Sequence, residues 1–139
     1  MPSNGIFCFG SNPLGINGNP KTGKGGAALV AQLEFGVKHG ERMINCLSKS
    51  RKAYGIVTVR APKQYISLQQ ITENIKILYK FASENLDKLF FIAYDGKDPN
   101  AISLNGKTRM QLAKCFSSAG EIPENIVFEF KFSKLVINV

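Results

Sequence analysis

Short apolar runs of strand character alternate with stretches of helical periodicity along this chain, and that alternation narrows the fold more than any other feature. Residues 5–9, Gly-Ile-Phe-Cys-Phe, read as a strand, and residues 27–33 as the helix that follows it. The β-branched run at 53–59 reads as a buried strand, with a shorter one ahead of it at 43–47. A helix is expected from Ser67, where Gln70 three residues on completes the pattern of a capping box. Leu68, Ile71, Ile75, Leu78, Tyr79, Ala82 and Leu86 then share one face. Residues 89–94 are continuously apolar, as a central strand covered on both sides requires. A third helix is expected over 107–118, with Met110, Leu112, Ala113 and Phe116 inward. Beyond it Ile126, Phe128, Phe130 and Phe132 alternate with Val127, Glu129 and Lys131, the pattern of a half-exposed strand. Strands separated by helices specify a three-layer α/β sandwich, with a mostly parallel central sheet, helices on both faces and room for an antiparallel edge. A chain of 139 residues accommodates this as one domain, residues 1–139.

The connection between the first strand and first helix is unusual. Residues 10–26 carry six glycines, Gly10, Gly15, Gly18, Gly23, Gly25 and Gly26. Glycines allow positive φ and close approach of backbone N–H groups to a ligand, and a helix start adds unpaired donors and the positive end of its dipole. That combination suits a phosphate, although glycines also serve turn geometry alone. In parallel sheets ligands sit beyond the carboxyl ends of the strands, where this loop and the polar loop at 95–100 both emerge.

The chain carries 18 basic and 10 acidic residues, a net charge of +8. Between Glu41 and Glu73 there is no acid, whereas Arg42, Lys49, Arg51, Lys52, Arg60 and Lys63 are present. Such a segment attracts a polyanion, nucleic acid included, or serves solubility. Cys8, Cys46 and Cys115 are scattered, without the spacing of a zinc site or a disulfide frame, and are expected as small core residues in a reducing compartment. No apolar run reaches the length of a membrane span and the first residues lack the pattern of a signal peptide, so a cytoplasmic location is expected. Neither a metal nor a resident cofactor is expected.

Familiar motifs fit poorly. Gly18-Asn19-Pro20-Lys21-Thr22-Gly23-Lys24 matches seven positions of the Walker pattern, but Gly25 stands where a Ser or Thr should hold magnesium, and the motif begins too far beyond its strand. Gly106-Lys107-Thr108 has Ala101 in place of the leading glycine. No G-x-G-x-x-G of the dinucleotide type is suitably placed, and no acid ends the next strand. His39, the single histidine, precedes Gly40 near a helix end and reads as a cap or surface residue rather than a base.

The run Phe7-Cys8-Phe9-Gly10-Ser11-Asn12, the run Gly23-Lys24-Gly25-Gly26-Ala27-Ala28 leading to Phe35-Gly36, the segment Tyr54-Gly55-Ile56-Val57-Thr58 and the strand ending Ala93-Tyr94-Asp95-Gly96 together resemble a small phage- and prophage-associated family related to macro domains. The resemblance covers most of residues 5–98 and implies a macro-like fold that binds ADP-ribose or a related nucleotide, in the host cell cytoplasm if the chain is phage-encoded. It implies ligand contacts from Gly10, Ser11, Asn12, Gly23, Lys24, Gly25 and Gly26 in the first loop and from Asp95, Gly96 and Lys97 in the second. If an ADP-ribosyl linkage is hydrolysed, Asn12 or Asp95 would position the water. One branch, resembling the DNA ADP-ribosyl glycohydrolases, uses a lysine just after the third strand's Thr; here Val59-Arg60 follows Thr58, and an arginine stays protonated. The alternative reading is a non-catalytic phage protein that sequesters a nucleotide signal, or that associates with nucleic acid through its basic surface.

Overall fold

The computed structural model describes residues 1–16, 21–23 and 25–138. Its elements run β1 (Gly5–Ser11), α1 (Gly26–Phe35), β2 (Cys46–Leu47), β3 (Ala53–Val57), β4 (Val59–Ala61), β5 (Gln64–Tyr65), α2 (Leu68–Ser83), β6 (Leu89–Ile92), α3 (Arg109–Ser118), β7 (Ile126–Val127) and α4 (Phe130–Ile137). Five strands form one sheet in the order β2-β3-β1-β6-β7. β1 pairs in parallel with both β3 and β6, and β6 with β7, while the short β2 runs antiparallel on the edge. The expected mixed α/β architecture with a mostly parallel sheet is present.

Side-chain alternation along β1 divides the interior in two. Ile6 and Cys8 point into a large core with Tyr54 and Ile56 of β3, Ile71, Ile75 and Leu78 of α2, Leu112 and Phe116 of α3, and Phe132 and Val136 of α4. Phe9 points to the opposite face, into a smaller core with Ala31 of α1, Val37, Met43 and Ala53, against which Phe7 and Phe35 pack. Successive residues of a strand face opposite sides of its sheet, so α1 covers one face and α2, α3 and α4 the other. The Phe7 and Phe35 rings stack at 4.6 Å between centroids.

Local chemistry sets the helix starts. Ser67 caps α2 by accepting from the Gln70 N–H at 3.0 Å, but the Gln70 side chain turns forward to Asn74 instead of back, so the expected capping box is only half made. The complete box sits at α3, where Thr108 and Gln111 each accept from the other's backbone N–H, at 3.1 and 2.9 Å.

Four expectations need correcting. The strand expected through Phe132 stops at Val127, because the Glu129 carboxylate accepts from the Lys131 and Phe132 N–H groups and starts a helix there. Phe132 is buried and Phe128 packs against the same core, while Phe130 between them is 70% exposed. The run at 53–59 is broken at Thr58; Val59–Ala61 pairs with Gln64–Tyr65 as a separate hairpin. Met110 and Leu86, expected inward, are exposed, the latter beyond the end of α2. Cys46 is exposed on the edge strand rather than in the core.

Candidate functional site

Among the parallel strands the spatial order is β3-β1-β6-β7. The chain passes from β1 to β3 on one side, then crosses over β1 to β6 on the other, so the connections diverge between β1 and β6. In open α/β sheets the usual ligand site is a crevice outside the carboxyl ends of the two strands at such a switch point. The loop that leads from β1 to α1 and the loop after β6 flank it.

In the first loop, Gly23, Gly25 and Gly26 have φ of 69°, 127° and 52°. Among the described residues a Cβ added to Gly23 or Gly26 would meet no atom within 4 Å, so they leave the space beside both open. Gly25 is the N-cap of α1, and no side chain among the described residues caps that helix. α2, α3 and α4 are each capped by a side chain, from Ser67, Thr108 and Glu129. Ala28 and Leu29 N–H donate to Gly25 O at 3.1 and 3.4 Å, which leaves the Gly26 and Ala27 N–H groups without a side-chain acceptor among the described residues. Lys24, expected at the ligand, lies outside the described residues, as does most of the Walker-like segment.

The other expected residues of this loop are bonded or packed within the fold. Asn12 is buried, its Nδ2 donating to Ile16 O at 2.8 Å and its Oδ1 accepting from the N–H groups of Leu14 and Ile16, both at 3.1 Å. These bonds close an Asx-type turn and engage both ends of the amide that was expected to position water. Ser11 Oγ donates to Met43 O at 2.7 Å. Gly10 is required by packing: a Cβ there would come within 2.6 Å of Thr58 Oγ1 and 2.7 Å of the Tyr94 hydroxyl.

In the second loop two expected backbone donors are already bonded within the protein. Gly96 N–H donates to Glu129 Oε1 at 2.8 Å, and Lys97 N–H to Asp95 Oδ1 at 3.0 Å. Gly96 also lies so close to α4 that a Cβ would sit 2.4 Å from the backbone carbon of Lys131. The backbone donation from Gly96, then from Lys131, holds the Glu129 carboxyl below the ordinary range. The expected ligand donors at Gly96 and Lys97 are thus already bonded within the protein. Asp95 and Lys97 keep exposed side chains at this end of the sheet.

Sequence reasoning missed a polar cluster at the same end of the sheet. The Tyr94 hydroxyl contacts the Thr58 side chain and accepts from Asn105 Nδ2 at 3.4 Å. The Arg109 guanidinium lies 5.4 Å from the Tyr94 ring centroid and donates through Nη1 to Ser103 Oγ, while its buried Nε has no partner among the described residues. Burial pushes the Tyr94 hydroxyl pKa up, so it remains a neutral donor. The one readable signal for this cluster was Gly10, whose missing side chain makes room for two hydroxyls.

Other reactive groups are quiet. Burial raises the pKa of the Cys8 and Cys115 thiols, which disfavours the nucleophilic thiolate. Among the described residues no three His, Cys, Asp or Glu side chains gather as a metal site, and no helix is long and apolar enough to cross a membrane. The acid-free segment does not form one patch. Lys49, Arg51 and Lys52 lie in the turn before β3, while Arg60 and Lys63 lie on the β4–β5 hairpin beyond its other end. Comparison with protein-family models, curated proteins and solved structures finds no match to this chain.

Proposed function

We propose that the protein is a macro-like module that binds ADP-ribose or a related nucleotide at the crevice between β1 and β6, with the diphosphate on the start of α1. The observation that carries this reading is the uncapped start of α1, set behind glycines of positive φ with open space beside them, at the switch point of the sheet. Backbone N–H groups in such an arrangement match phosphate oxygens without any side chain. Arg60, Lys63, Lys97, Lys107 and Arg109 sit on elements that leave this end of the sheet and add positive potential for an anion.

Binding without turnover fits the arrangement better than hydrolysis. Asn12 has both ends of its amide engaged in its own loop, and one oxygen of Asp95 holds a turn. The test is a thermal-shift screen against ADP-ribose, NAD, ATP and inorganic pyrophosphate, paired with an assay of ADP-ribose release from modified protein and DNA. ADP-ribose is expected to raise the melting temperature by mass action, with no release from either substrate. A flat response to every diphosphate would overturn the binding reading. Release of ADP-ribose would overturn its non-catalytic part.

A further inference from the structure

A second surface, built from residues outside that crevice, has its own chemistry. Lys38, His39, Gly40, Glu41, Arg42 and Lys49 line an open depression of about 400 Å³. Two segments form it, the connection from α1 to β2 and the turn from β2 to β3. Glu41 ties them together, its Oε1 accepting from Lys38 N–H at 3.1 Å and its Oε2 from Lys49 N–H at 2.8 Å. The one acid in the lining thus has both oxygens turned to the backbone, with basic side chains around it. Arg51 and Lys52 extend the charge along the same turn, which is closed by Arg51 N–H donating to Ser48 O at 3.0 Å.

Arg51 has φ of 61°, in the left-handed region where a side chain is unfavourable and Gly or Asn is the ordinary choice. A basic residue held at such a point suggests that its charge is used. Lys38, Arg42, Lys49, Arg51 and Lys52 are exposed, and none takes part in an ion pair among the described residues.

We propose that this depression and the adjoining turn dock a nucleic-acid backbone, with phosphates seated among Lys38, Arg42 and Lys49 and Arg51 extending the track. A membrane surface fits less well, because the site is concave and no apolar side chain lines it for insertion. An acidic protein partner would require an apolar centre that is also missing. This inference does not rest on nucleotide binding at the crevice.

The experiment is fluorescence anisotropy with labelled single-stranded and duplex oligonucleotides of about 20 nucleotides over a salt series. The logarithm of affinity should fall linearly with that of salt concentration for at least one oligonucleotide. Lys38→Ala, Arg42→Ala and Lys49→Ala should each weaken duplex binding about eightfold at about 0.1 M salt and lower the slope by about one unit. Arg51→Gly relieves the left-handed strain, so it should melt no lower than the parent while binding more weakly, a pairing that misfolding cannot produce. The proposal is overturned by an absence of binding to both oligonucleotides at low salt. It is equally overturned by unchanged slopes in these variants, or by tighter binding to anionic phospholipid vesicles than to either oligonucleotide.

Discussion

The two loops that flank the crevice leave adjacent strands at the same end of the sheet, and both contain glycine, yet they differ in where their backbone N–H groups point. After β6, Gly96 gives its N–H to Glu129 and packs against the backbone of α4, and Lys97 gives its N–H to Asp95. Before α1, Gly25 and Gly26 have positive φ, and among the described residues Gly26 faces open space and no side chain caps the helix. One set of glycines closes a fold and the other leaves donors available. A glycine in a loop is therefore informative about binding only once the destination of the neighbouring N–H groups is known.

Substitutions can break that contrast. The largest effect is expected for Gly96→Ala, where the new methyl group meets backbone that cannot easily move. It should destabilise the fold by about 1–3 kcal/mol, measured by chemical denaturation, with ligand affinity of the folded protein unchanged. Asn12→Ala should also cost about 1–3 kcal/mol, because the Leu14 and Ile16 N–H groups and the Ile16 carbonyl lose their partner. It should weaken nucleotide binding through distortion of the first loop, visible as a loss of affinity.

Gly26→Ala reverses the Gly96 pattern. A left-handed alanine costs about 1 kcal/mol of stability, while its methyl group enters the open space and should lower ADP-ribose affinity about tenfold, as read by calorimetry. If Gly26→Ala binds as the parent does and Gly96→Ala does not, the two loops have been assigned the wrong way round.

The smallest effect concerns pH. The Glu129 carboxyl is held below its ordinary pKa in the folded protein, so it contributes stability above the unfolded carboxylate value of about 4.3, and that contribution is lost as pH falls through the folded value. Glu129→Gln should melt below the parent at neutral pH, and the gap should close in acid. A gap that widens on acidification would contradict the capping role.

The sequence patterns revealed β1 and β6 as short apolar runs and α2 as one apolar face at helical spacing. They misled at 126–132, where phenylalanine at every second position looks like a strand. Phe128 and Phe132 are four residues apart and reach one core across the start of a helix, leaving Phe130 exposed. A spacing of four contains a spacing of two, so periodicity alone could not separate them. The Glu129 cap was the deciding residue. At the site, the open glycines of the first loop were legible as glycines. The occupancy of Gly96 was not, since its N–H is taken by an acid 33 residues away in the chain. The same holds for the basic segment, whose charges are contiguous in sequence but separated by β3 in space.

The most direct test of the central claim is a titration of ¹⁵N-labelled protein with ADP-ribose, followed through backbone amide resonances. The contrast between the loops predicts that the largest shifts fall on Gly25, Gly26 and Ala27 at the start of α1, with Gly96 and Lys97 little changed because their N–H groups stay bonded to Glu129 and Asp95. Shifts centred on Gly96 and Lys97 with none at the α1 start, or no shifts at all with ligand in excess, would contradict it.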